Sequence, residues 1–389
     1  MSSELEDLLA KVNRNVFLRE YTFATNKFKS ESGQEYELAD HVVLLPGRIL
    51  VFQVKERDES ADHSDESIVK WFKREVLKKA CKQLADTRTF LESEPNLVLP
   101  NQRGHMLDLA GPEAQVVQVA LYASGQNRPP FLAQTSHRVS NRAGFVHILH
   151  VRDYYEMCRA LSLPGEIGAY FPFREDYLLR NALRAYHEAR IVAAFVEGDP
   201  TASLDDDAVR SMVADAVSDV RSFDLGDLLQ KYGDKVEYAE AGGSGTDYYA
   251  ILNEFARMNR VHRRAFRQLL DWASGKAGGD GHSFEIPARM RVPGRDIGFV
   301  VFPVPKGAHD YRLNALHNYT LAMKHDWKLP RAIGVAVSRV GGKVEIDWAF
   351  VEFPWRDDPD MDRRLAANYP FRSTPEPRMD YRFRQRSQE

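Results

Sequence analysis

The chain has 389 residues, 43% hydrophobic and 28% charged, enough for two or three ordinary cores and unlike a disordered or fibrous protein. A net charge of −3 argues against coating nucleic acid by bulk electrostatics, so any polyanion must meet local basic patches or arrive with a partner. Cys81 and Cys158 can build neither a disulfide scaffold nor a zinc cluster; the acidic start lacks an apolar leader core and no run spans a membrane, so a cytoplasmic protein is expected.

A first helix is expected from Ser3, with Leu5, Leu8, Leu9 and Val12 on one face. Aromatic and β-branched residues over 16–28 predict extended chain, broken at Ser32-Gly33. Two apolar runs, 38–45 and 49–54, flank Pro46-Gly47 and predict a hairpin; an acidic loop then leads to a long basic helix. Its apolar stripe holds Ile68, Trp71, Phe72, Leu77, Ala80, Cys81 and Leu84, while Lys73, Lys78 and Lys82 crowd the remaining surface and could guide a phosphate backbone. Residues 115–122 and 145–151 predict two further strands. The order α, β, β, β, α, β, β suits a mixed α/β sheet domain over residues 1–152.

Residues 153–274 predict a helical middle domain, in which Arg260, Arg263 and Arg264 form a basic face open to phosphates. A smaller C-terminal α/β domain is expected over 284–356, strand, helix, strand, strand, followed by a loose polar tail at 357–389. The segment around Gly242 lacks the ending of a phosphate-binding loop, and His147 and His150 fall on opposite faces of a strand, so neither marks a site.

The hairpin carries the chemistry. With Pro46 and Gly47 at the turn, Leu44 faces Ile49, Val42 faces Val51 and Asp40 faces Gln53. Lys55 shares the face of Gln53, because strand side chains alternate with period two. A carboxylate, an amide and an ammonium thus meet among core residues, where they are costly unless paired or bound to a metal. The carboxylate and amide oxygens are hard ligands suited to Mg²⁺, and the lysine can orient a water or stabilise charge on a phosphate.

The run Glu35-Tyr36-Glu37-Leu38-Ala39-Asp40, followed by Phe52-Gln53-Val54-Lys55, resembles the PD-(D/E)XK nuclease superfamily, and its Gln-x-Lys form resembles the Mrr-type restriction endonuclease branch. Lys82-Gln83-Leu84 in the long helix adds to the likeness, which covers about the first 150 residues. The resemblance implies a restriction-endonuclease-like mixed sheet flanked by helices. It also implies Asp40 as metal-binding acid, Gln53 as second ligand and Lys55 at the water or scissile phosphate. Glu37 would join them through a strand bulge, and Glu20 would be an acid from the first helical region. The implied activity is Mg²⁺- or Mn²⁺-dependent endonucleolytic hydrolysis of DNA, in restriction or antiviral defence, by a homodimer or with a partner protein. Two alternatives stay open: a catalytically inactive nucleic-acid-binding or scaffold subunit, and an RNase-type toxin.

Overall fold

The computed structural model describes residues 4–23, 27–29, 35–58, 60–94, 97–109, 114–125, 128–181, 187–239, 246–372, 379–381 and 384–385. The expected breaks at Ser32-Gly33 and at Gly242 lie outside them. The chain packs into two compact units: residues 1–221 with 226–259 and 381–383, and residues 222–225 with 260–380 and 384–389.

The fold is mixed α/β, and the first unit is built on a six-stranded mixed sheet. Its strands run in the spatial order Thr22–Phe23, His41–Leu45, Arg48–Glu56, Gln115–Ala123, Gly144–His150, His137–Ser140. Arg48–Glu56, Gln115–Ala123 and Gly144–His150 are mutually parallel, and the outer neighbours are antiparallel. The hairpin turn rests on Gly47 at φ +81°, a left-handed conformation that glycine adopts without strain.

Alternation along the strands directs Val42, Ile49, Val51, Ala120, Tyr122, Val146 and Ile148 to one face, where the long helix seals them. The helix comprises Asp65–Trp71, a π-helical stretch Phe72–Ala80 and Cys81–Ser93. Ile68, Phe72, Val76, Ala80 and Leu84, all fully buried, recur every four residues. On a 3.6-residue helix that spacing drifts by about 40° per turn; the wider π turns unwind the drift and hold the stripe against the sheet. Helices Glu4–Phe17 and Val151–Leu161 cover the other face, with Tyr154 donating to Asn13 Oδ1 at 2.7 Å and packing edge-on to Phe52.

The expected division into nuclease, helical and α/β domains is corrected. Helices Pro164–Arg180, Glu188–Glu197 and Tyr249–Ala256 belong to the first unit. One tie between helices and sheet there is Arg174, which is buried, pairs with Glu188 and reaches the carbonyl of Ile148. Helix Arg260–Lys276, assigned from sequence to the middle domain, belongs to the second unit, where Phe266 packs edge-on to Phe299 at 5.6 Å.

The second unit's sheet has the order Ala288–Arg291, Ile297–Pro303, Arg331–Val340, Lys343–Glu352. Helix Arg312–Asp326 links its two parallel strands and lies close because Gly334 has no side chain: a Cβ there would collide with Thr320 Oγ1. The loose tail expected after residue 356 is corrected as far as residue 372. Asp358 caps helix Pro359–Ala367, and Phe371 is buried with Val300, Met323 and Ala332. Arg289 holds this segment, stacking on Trp327 and Phe371, each at 4.4 Å, and donating to Asp326 and to Tyr369. Among the described residues no helix is long and apolar enough to cross a membrane.

Candidate active site

The hairpin register is as the turn requires from His41–Phe52 to Leu45–Arg48. It ends at Asp40, whose backbone N–H donates to Phe52 O at 3.1 Å while its carboxylate accepts from Val54 N–H at 2.6 Å. Asp40 is therefore fastened to the end of the strand that carries Gln53 and Lys55. Gln53 is 4% exposed, and its Oε1 is buried without a hydrogen-bond partner among the described residues. An unsatisfied buried amide oxygen costs about 1–3 kcal/mol, and its retention calls for an explanation such as a bound ion.

Lys55 is half-buried, one pleat beyond Gln53 on the same face. Burial pushes its pKa down; Asp40 is the strongest opposing influence, Lys79 adds to the depression, and Glu75 and Glu6 oppose it. Two acids that sequence patterning does not single out thus act on this lysine, Glu75 from the π stretch and Glu6 from the first helix. Glu75 is held by Arg74 at 2.7 Å and Lys79 at 3.5 Å, and these partners keep its carboxyl ionised. Glu6 is further tied to the hairpin through its carbonyl, 3.0 Å from His41 Nε2.

The parallel register sets Lys55 beside Tyr122 and Tyr122 beside His150, a row across the carboxyl ends of three parallel strands. Open α/β sheets bind ligands at such ends. Tyr122 packs edge-on to His150 at 5.2 Å and accepts from Arg128 Nε at 3.2 Å, while Arg128 pairs with Asp153 at 2.8 Å. Burial raises the Tyr122 hydroxyl to about 12, so it remains a proton donor at neutral pH. A cavity of about 680 Å³ lies at the other end of the hairpin, around Pro46 and Gly47, away from these groups.

The remaining expected residues separate. Glu37 pairs with Lys27 in a two-stranded ribbon outside the main sheet, and its side chain is outside the described set. Glu20 is buried in a structural pair with Arg103 at 3.0 Å and accepts from Tyr248, so it is no part of the site. Lys73, Lys78 and Lys82 are exposed on the long helix, Lys73 lying 5.0 Å from the exposed ring of Phe131. The basic face expected at Arg260, Arg263 and Arg264 is corrected. Arg260 and Arg263 are 2% and 4% exposed, Arg260 stacks on Phe223, and the half-buried Arg264 donates to Ser222. His147 is a core residue against Arg174 and Phe171, as its strand position implies.

The donor set of Asp40 and Gln53, one carboxylate and one orphaned amide oxygen, suits a hard divalent cation. Among the described residues no group of three or more His, Cys, Asp or Glu side chains converges on a metal position. Comparison of the chain with protein-family models, with curated proteins and with solved structures yields no match.

Proposed function

We propose that the chain is a metal-dependent nuclease that hydrolyses phosphodiester bonds in DNA from the carboxyl end of the Arg48–Glu56 strand. The observation that carries this reading is the orphaned Gln53 Oε1 one pleat from Lys55, with the Asp40 carboxylate fastened at the intervening Val54 N–H and acting on the charge of the lysine. Asp40 and Gln53 would hold Mg²⁺ or Mn²⁺, which when bound would polarise the phosphate and acidify a water. Lys55, whose pKa is lowered by burial against the opposing pull of Asp40, Glu75 and Glu6, is placed to exchange a proton or to steady a phosphate oxygen. The exposed Lys73, Lys78 and Lys82 would follow the backbone by counterion release. Restriction or antiviral defence in the cytoplasm, by a homodimer or with a partner protein, is the role consistent with such an activity.

The test is to incubate the full chain with plasmid, linear duplex, single-stranded DNA and RNA, with Mg²⁺ or Mn²⁺ against EDTA. Asp40→Ala and Lys55→Ala should each lower metal-dependent cutting by about a hundredfold or more. Cutting of RNA alone would replace the DNA assignment with the RNase reading. A second reading, a nuclease fold retained as a nucleic-acid-binding or scaffold subunit, is favoured by the neutral Gln53 and by the lack of a three-acid cluster among the described residues. It predicts binding without cutting under every condition, unchanged in both variants.

A further inference from the structure

The second unit holds a buried lysine without a counter-charge. Lys324, in the last turn of helix Arg312–Asp326, is 2% exposed, and among the described residues it makes no ion pair or side-chain hydrogen bond. Its ammonium sits 3.5 Å from the centroid of the Phe353 ring. The site is covered but shallow: Lys324 lines a cavity of about 430 Å³ together with His325, Phe353, Trp355, Arg356 and Asp358. Burial without a compensating carboxylate lowers the Lys324 pKa.

The cavity wall is built. The Trp355 indole N–H donates to the carbonyl of His325 at 3.2 Å, and the ammonium of Lys328 lies 5.1 Å from the Trp355 ring centroid. His325 is held by Asp362 at 2.8 Å. The carboxylate of Asp358 turns to the N–H groups of Asp360 and Met361, while the exposed Asp357 also lines the cavity. Cations at a helix C-terminus are favoured by the helix dipole, which accounts for lysines at these positions but not for the burial of one beside a cavity. The ammonium lies at the edge of a ligand-sized space with no carboxylate bonded to it among the described residues, so an anion entering that space can pair with it.

We propose that this cavity binds a nucleotide, its phosphate meeting Lys324 and Arg356 and its base packing on the aromatic wall of Phe353 and Trp355. Phosphate on paired cations with a base on an aromatic face is how nucleotides and strand ends are held. The site is separate from the hairpin residues and does not depend on the nuclease reading.

The test is isothermal titration of the full chain in EDTA, on a Lys55→Ala background so that the hairpin site contributes no turnover. The probes are AMP, a 5′-phosphorylated oligonucleotide, adenosine and inorganic phosphate. AMP or the oligonucleotide should bind, and which of the two binds tells a free nucleotide from a strand end. Lys324→Met should weaken binding by about tenfold or more, and the exposed Arg356→Ala by several-fold, on the scale of one or two charged hydrogen bonds. Lys324→Met should also keep or raise the melting temperature, which separates loss of binding from loss of fold. No binding of either nucleotide probe overturns the proposal, as does unchanged binding in Lys324→Met or equal affinity for inorganic phosphate.

Discussion

At the scale of the residue, Lys55 illustrates a conflict between stability and chemistry. Its pKa is lowered in the folded chain, so between that lowered value and 10.5 the unfolded chain binds more protons. Stability from this group is therefore complete only above 10.5 and is lost as the pH falls through the folded pKa; at neutral pH the lysine is a net cost. Lys55→Met, which keeps the aliphatic stem, should melt no lower than the parent at pH 7 and abolish metal-dependent cutting. A fall of several degrees on thermal unfolding would show that the ammonium stabilises the hairpin and would remove the argument for a functional cost. The hairpin register and the shared face of Gln53 and Lys55 were legible because turn chemistry and period-two alternation are local. Glu20 was misplaced for the opposite reason: its partners Arg103 and Tyr248 lie far along the chain, and only the folded structure pairs them.

The long helix shows what local patterning cannot deliver at the scale of an element. Its existence and basic surface were readable, but Val76 was missed from the stripe because a four-residue repeat fits neither a 3.6-residue helix nor a strand. The π stretch also carries Glu75 and Lys79, four residues apart, alongside that stripe and into the field of Lys55. The row Lys55, Tyr122, His150 was hidden too, since sequence contains no signal for the register of parallel strands joined by long crossovers. Glu75 holds the Lys55 pKa up, so Glu75→Gln should let it fall further. The limb of the pH–rate profile that belongs to Lys55 should then move to lower pH, with Lys55→Arg, which cannot deprotonate, removing that limb. A profile unmoved by Glu75→Gln would reduce Glu75 to a surface ion pair with Arg74 and Lys79.

At the scale of the whole molecule, the three-domain expectation failed because helices were grouped by adjacency in sequence, whereas packing assigns them to the sheet whose apolar face they cover. Helix Arg260–Lys276 buries Val261, Phe266, Leu270 and Ala273 in the second unit, and the polar-looking tail contributes Phe371 to the same unit. Each unit has its own core, so calorimetry of the full chain should resolve two transitions. Phe371→Ala should destabilise one of them by about 3–5 kcal/mol and leave the other in place. Acid should act on the same transition through His262. Burial is the main cause of its fall from 6.5 to about 4, with Arg295 adding to it. Between those values the unfolded chain takes up a proton that the folded one refuses, so stability should drop by about 3 kcal/mol as the pH is lowered across that window. His262→Gln should remove that pH dependence from the second unit's transition. If both transitions instead moved together with Phe371→Ala and with pH, the units would unfold as one cooperative body, and the division by packing would carry no energetic meaning.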